Sequence, residues 1–168
     1  MFRFILLNFI VLNSNQFACE VDDRIMYSIA EIEKHQKRIV GYPYLISFND
    51  KQDLSKLNDS IKSFFIDNRT IDCLNIQVCN KLLNLFIMNG IKNLDCGAFQ
   101  LNYMYWKLPI GEYFDIKKSY LKACSIIENN NKLKWSWSNI ANYHSSTPKI
   151  NKKYQALLLA SIKKNIKN

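Results

Sequence analysis

The sequence predicts an all-α, mainly helical single domain, and three observations support that expectation. Apolar residues recur at three- and four-residue spacing in several separate stretches. No long stretch alternates with period two. The periodic stretches are bounded by helix caps and stops rather than by hairpin turns. The chain has 168 residues, 48% of them apolar and 22% charged. That is enough for one domain with a real core, and it fits a globular fold rather than disorder.

Asp22 or Asp23 can cap the first helix, which the pattern carries to about His35 with Ile25, Met26, Ile29, Ala30 and Ile32 on its apolar side. Residues 41–52, from Gly41-Tyr42-Pro43-Tyr44 onward, read as loop or short extended structure. Leu54, Leu57, Ile61, Phe64 and Phe65 return to helical spacing, and residues 68–72 break it. Ile76, Cys79, Leu82, Leu83, Phe86 and Ile87 mark a further helix that stops at Asn89-Gly90. After a turn at Gly97, Asp115 can cap a helix carrying Ile116, Tyr120, Leu121, Cys124 and Ile127, which ends at Asn129-Asn130-Asn131. Trp135, Trp137, Ile140 and Ala141 open the next, with both tryptophans expected in the core. Thr147-Pro148 breaks the chain, and Asn151 can cap a last helix with Tyr154, Leu157, Leu158 and Ile162 inward.

Residues 1–18 read as a secretory signal peptide. Arg3 supplies a short basic start, Phe4 to Leu12 is apolar apart from Asn8, and Ala18 is a small residue before the cut. The stretch is too short to span a bilayer as a mature helix. Cys19 directly after Ala18 also suits a lipoprotein cut, without the usual Leu before it; plain cleavage near Ala18 is the reading taken. The protein is then exported, to a periplasm or cell envelope, where disulfides form. Its five cysteines are Cys19, Cys73, Cys79, Cys96 and Cys124. Cys73 is expected to pair with Cys79 and Cys19 with Cys124, leaving Cys96 as a buried free thiol. Metal binding is the alternative for such a set. It is disfavoured by the absence of a Cys-x-x-Cys pair and by the presence of only two histidines, His35 and His144. No cofactor motif is present.

A net charge of +9 suits an anionic partner. The charge is spread, and the excess at Lys149, Lys152, Lys153, Lys163, Lys164 and Lys167 reads as a solvated helix face rather than a binding site. No nucleic-acid motif accompanies it, and an export signal argues against nucleic acid as the partner.

The sharpest chemical feature is Glu33. At 100° per residue it falls in the middle of the stripe formed by Ile25, Met26, Ile29, Ala30 and Ile32, whereas Glu31 falls on the polar side with Tyr27 and Ser28 and is expected to be solvated. Buried Glu is rare unless paired or functional. Burial disfavours the charged form of a carboxyl group, which turns it into a proton donor near neutral pH. A salt bridge to Lys or Arg at the edge of the stripe is the structural alternative.

Three stretches, read in order, resemble the lytic transglycosylase family, the lysozyme-like enzymes that cut bacterial cell-wall glycan. They are Ile29-Ala30-Glu31-Ile32-Glu33, Gly97-Ala98-Phe99-Gln100-Leu101-Asn102 and Ile140-Ala141-Asn142-Tyr143-His144. In that family a helix-borne Glu follows an Ile-Ala pair, a Gly-x-x-Gln-x-Asn turn comes next, and an Ala-x-Tyr stretch closes the cleft. Asp95 before the turn and the Tyr-His-Ser run match the specialised, secretion-associated members. The resemblance covers roughly residues 19–48 and 92–160.

It implies a lysozyme-like domain over residues 19–168, with an insertion around residues 50–90. Glu33 would be the single catalytic acid and then base. It would cleave the β-1,4 bond between N-acetylmuramic acid and N-acetylglucosamine and leave a 1,6-anhydro sugar. Gly97 would let a ligand approach closely, Phe99 would give apolar contact to a sugar face, and Gln100 and Asn102 would meet sugar hydroxyls and acetamides. Tyr143 would pack beside Glu33 and hydrogen-bond to it or to substrate, and Tyr154 would match a further family tyrosine. Asp95, Asp115 and Glu112 are second acids only by chance, and His144 is read as structural. The partner would be peptidoglycan glycan strands, with an envelope-spanning secretion or appendage machine as a further partner. Lys34 stands where the family has Ser. A lysozyme-type hydrolase and a non-catalytic cell-wall binding module are the alternatives.

Overall fold

The computed structural model describes residues 19–166, so the expected signal peptide at 1–18 lies outside the described residues. The fold is mainly helical, about 53%. The all-α expectation is corrected by a four-stranded antiparallel sheet, in the order β2-β1-β3-β4. Its strands are β1 (Leu45–Phe48), β2 (Thr70–Asp72), β3 (Leu94–Cys96) and β4 (Leu101–Asn102). The helices are α1 (Asp23–Glu33), α2 (Lys51–Leu54), α3 (Ile76–Met88), α4 (Ile116–Asn131), α5 (Trp137–Ala141) and α6 (Pro148–Ile166).

Strands of two to four residues leave no room for period two to show. β1 is buried along its whole length, so its apolar residues are interrupted only by Ser47 rather than alternating with polar ones. The pairing nevertheless sorts the side chains by face. Ser47 stands opposite Thr70 on one side and Asp95 on the other, and Asp95 stands opposite Asn102. One polar row, Thr70–Ser47–Asp95–Asn102, thus crosses all four strands. The adjacent row, Ile71–Ile46–Cys96–Leu101, belongs to the opposite face and is buried in the core.

The helix expected over Leu54–Phe65 is replaced by α2 and a separate 3₁₀ turn, Asp59–Phe64. Ser55 and Ser63 hydrogen-bond back to the carbonyls of Gln52 and Ser60, offering the backbone short turns in place of a continuous helix. Residues 50–90 are woven into the shared core. β2 completes the sheet edge, and Phe86 of α3 packs edge-on against Phe48 of β1, ring centroids 5.1 Å apart.

Caps follow the sequence more closely. Asp22 caps α1, accepting from the Arg24 amide at 2.8 Å, and α1 ends at Glu33 rather than His35. Asn75 caps α3, which stops at Asn89 before Gly90 in the left-handed region (φ 77°). Asp115 caps α4. Asn151 caps nothing: it is buried inside α6, and its Nδ2 donates to the Ser138 carbonyl, Asn142 Oδ1 and the Ser145 carbonyl. Trp135 and Trp137 are exposed rather than core, as is Leu157 of α6.

α1 packs against α6, and Glu31 is the fastening. It is not solvated: its side chain is 13% exposed and accepts from Ser161 (2.5 Å), Lys164 (2.8 Å) and Asn165 (3.3 Å). Hydrogen bonds from Lys164 and Ser161 hold its carboxyl at about 2.

Two disulfides, Cys19–Cys124 and Cys73–Cys79, are present, and Cys96 is free and buried. They mark an oxidising, exported location. A Cys19 sulfur in a disulfide cannot also carry a lipid thioether. No described helix is long and apolar enough to cross a membrane.

The two bridges close loops of very different size, with sequence separations of 105 and 6. Removing Cys19–Cys124 with paired alanines is expected to cost about 4.7 kcal/mol, roughly twice the cost of removing Cys73–Cys79, as measured by urea unfolding. Equal losses would show that loop closure does not govern their contribution.

Candidate active site

α1 delivers Glu33 to the rim of a cleft of about 580 Å³ whose floor is the polar row of the sheet. The Glu33 side chain is 13% exposed. Its Oε1 accepts from the Tyr154 hydroxyl at 2.7 Å and lies 3.4 Å from His144 Nδ1. The two donors stack face to face, ring centroids 4.7 Å apart and 2° from parallel. Among the described residues no hydrogen bond uses Oε2. Burial and the Glu33 charge push the Tyr154 hydroxyl well above its usual range, so it serves as a donor only. The hydrogen bond to Glu33 raises the His144 imidazole above its ordinary value, against a smaller opposing effect of burial. His144 thus shares one oxygen of Glu33 with Tyr154. Asn151 gathers the segment that carries it by tying Ser138, Asn142 and Ser145 to α6.

The Gly97 turn plays a different part from the one expected. Gly97 is left-handed (φ 77°), and a Cβ there would fall 2.0 Å from the Tyr113 carbonyl oxygen. The close approach it permits is to this chain's own backbone. Phe99 is buried and packs edge-on against Tyr120, away from the cleft; its carbonyl accepts from the Tyr143 hydroxyl at 2.5 Å. Tyr143 lines the cleft, but its hydroxyl meets Phe99 and not Glu33. Gln100 also lines the cleft with φ 46°, and its Nε2 is spent on the Gly97 carbonyl (2.9 Å).

Asn102 is oriented by the Met104 amide, which donates to its Oδ1 (2.9 Å). Its Nδ2 therefore faces Asp95 Oδ1 at 2.8 Å. Asn49 Nδ2 donates to the other carboxylate oxygen of Asp95 at 2.8 Å, and the Arg69 guanidinium stands 3.9 Å from it. Burial raises the Asp95 carboxyl above the ordinary value, the two amides oppose that, and the Glu33 charge adds to it.

Sequence reasoning thus brings Glu33, Gln100, Asn102, Tyr143 and Tyr154 to one place and misplaces Phe99. It passes over Asn49, Arg69, Tyr105 and Trp106, which also line the cleft. Trp106 and Tyr105 follow Asn102 closely and give the cleft two aromatic rings. The Lys122 ammonium lies 5.7 Å from the Trp106 ring centroid. Their signal was an aromatic cluster directly after the Gly97 turn. Lys34 sits at the cleft mouth as the C-terminal cap of α1.

Two outcomes are expected. Gly97→Ala should cost about 3 kcal/mol or more in urea unfolding, because both the left-handed backbone and the Tyr113 carbonyl resist a methyl group. Glu33→Gln should lower the His144 pKa toward that of an ordinary imidazole, as followed by NMR titration; an unchanged titration would mean that Glu33 does not set the charge on His144.

A scan against protein-family models, a search of curated proteins and a search of solved structures each found no match to this chain.

Proposed function

We propose that the chain is an exported peptidoglycan lytic transglycosylase of lysozyme-like fold, acting in the periplasm or cell envelope. The observation that carries this reading is Glu33. It is a nearly enclosed carboxyl group with one oxygen clamped by Tyr154 and His144 and the other left for a ligand, above a cleft lined by amides and aromatic rings. Neutral amides and aromatic faces suit an acetamido sugar, and a single proton-carrying group suits glycosidic cleavage.

In this scheme Glu33 gives its proton to the oxygen joining N-acetylmuramic acid to N-acetylglucosamine. The departing sugar leaves with that proton, and positive charge develops at the anomeric carbon. The Glu33 carboxylate then takes the proton of the muramic acid 6-hydroxyl as that oxygen closes onto the anomeric carbon. Glu33 ends protonated, as it began, and no water is consumed. The positive net charge suits a wall polymer that bears free carboxylates. Local opening of the wall for an envelope-spanning machine is the role this activity would serve.

Glu33→Gln keeps the size and the acceptor for Tyr154 but removes the transferable proton. Turnover of purified sacculi should fall roughly 10²- to 10⁴-fold while the domain still unfolds cooperatively. Full activity in that variant would sink the assignment. Mass spectrometry of the wild-type products separates the rivals: anhydro-muropeptides are lighter by one water than the reducing ends a hydrolase would leave. Binding of sacculi without release would instead mark a cell-wall binding module.

A further inference from the structure

The two ends of the cleft differ in character. The polar row crosses it from β2 to β4, three strand spacings or roughly 14 Å. Tyr105 and Trp106 stand at the β4 end, just after that strand, whereas the β2 end carries Lys34 and Arg69. Distant parts of the chain supply these two cations: Lys34 follows α1, and Arg69 precedes β2. One carboxylate brings them together. Asp67 Oδ2 lies 3.0 Å from His35 Nε2, and Asp67 Oδ1 accepts from the amides of Arg69 (2.8 Å) and Thr70 (2.6 Å). Lys37 adds a second tie by donating to the Ile66 carbonyl at 2.5 Å. The segment after α1 is thus fastened to the approach to β2, and the fastening uses neither the Lys34 ammonium nor the Arg69 guanidinium. Lys34 is exposed at the cleft mouth, and among the described residues its ammonium has no ion pair and no hydrogen bond. Arg69 is 51% exposed, and its one charged contact is Asp95 Oδ2 at 3.9 Å, too long for a hydrogen bond. That oxygen already accepts from Asn49 at 2.8 Å. Two cations held at one end of a cleft with their donors unspent form an arrangement that receives a carboxylate. Neither belongs to the family pattern. Lys34 stands where the family has Ser, and Arg69 lies outside the stretches that carry the resemblance.

We propose that Lys34 and Arg69 form an anion subsite that holds a carboxylate carried by the glycan strand, beside the bond that Glu33 cleaves. This rests on the glycan-cleaving reading above and names the part of the polymer that the cleft selects. Wall glycan offers carboxylates from two sources. One is the peptide stem; the other, where the stem has been removed, is the lactyl group of the muramic acid itself. Either is a planar anion that the forked Arg69 guanidinium can bind through two parallel hydrogen bonds, with Lys34 as a second positive charge. No bond forms or breaks at this subsite, and the proton transfers remain those of Glu33. Such binding is made equally before and during the reaction, so it acts on KM rather than on kcat. It also gives the strand a direction across the sheet, with a carboxylate-bearing muramic acid toward β2 and an uncharged stretch toward the aromatic end.

The test compares the wild-type chain with Lys34→Gln, Arg69→Gln and Arg69→Lys on three preparations of soluble glycan strands. The first bears peptide stems, the second has been stripped of them by an amidase, and the third is stripped material whose lactyl carboxyls are converted to methylamides. Initial rates give kcat and KM for each. On strands that carry the recognised carboxylate, Arg69→Gln should raise KM roughly tenfold with kcat within about threefold. Lys34→Gln should raise KM about threefold, and Arg69→Lys, which keeps the charge and loses the fork, should fall between Arg69→Gln and wild type. On the neutral methylamide strands the difference between wild type and variants should vanish. A rise confined to stem-bearing strands assigns the subsite to the stem, a rise confined to stripped strands assigns it to the lactyl group, and a rise on both shows that it takes either. Both side chains are exposed, so the variants keep the fold, and Lys34→Gln leaves the Asp95 contact untouched. An unmoved KM on both carboxylate-bearing preparations, or an equal rise on the methylamide strands, would overturn the proposal while leaving the Glu33 reading intact. A wild-type chain that cleaves none of the strands would overturn the glycan-cleaving reading and this inference with it.

Discussion

The register of four very short strands is the constraint on which everything else rests. Because side chains alternate between faces, the pairing of Ser47 with Thr70 and Asp95 places every polar residue of the row in the cleft and every apolar neighbour in the core. A slip of one residue would turn Ile46, Ile71 and Cys96 toward water and bury Asp95 among hydrocarbon. Strands this short cannot hold their register by length. It is held by what surrounds them: Phe48 wedged against Phe86 and Phe65, the Gly97 amide bonded to the Leu45 carbonyl, and a Gly97 turn whose backbone admits no other residue without displacing Tyr113.

The helical half contributes a second division of labour. Glu31 and Glu33 lie two positions apart and are equally shielded, at 13% exposure each, yet their partners set them on different paths. Glu31 meets an ammonium, a hydroxyl and an amide of α6 and is held as a permanent anion. Glu33 meets a tyrosine that cannot ionise usefully and a histidine that can, so its surroundings respond to protons. One residue fastens α1 to α6 and the other uses the fastening. Asn151 extends the same joint to α5 and to the segment bearing His144.

Much of this was legible in the sequence, and the rest was hidden for physical reasons. The caps at Asp22 and Asp115, the stop at Asn89-Gly90 and the inward aim of Glu33 all follow from local chemistry and helical period, and the structure bears them out. The Cys73–Cys79 bridge was legible from cysteine spacing, whereas Cys19–Cys124, separated by 105 positions, carries no local signal. The sheet was not, because two- and three-residue strands carry no period and β1 is buried on both faces. Glu31 was misread because helical angle alone does not reveal that α6 covers the polar side as well. Phe99 and Asn151 were misread because a motif position says nothing about which way a turn delivers its side chains. Asp95 could be named from the sequence, but its amide partners Asn49 and Asn102 meet it only through the pairing of the sheet.

The Tyr154 clamp also has a consequence in time. Glu33 is made early in synthesis, whereas Tyr154, which completes it, follows 121 positions later on α6. A nascent or interrupted chain that stops short of α6 therefore carries Glu33 with neither its clamp nor the Glu31 fastening. Glu33 gains its clamp, and α1 its fastening, only once α6 lies against α1.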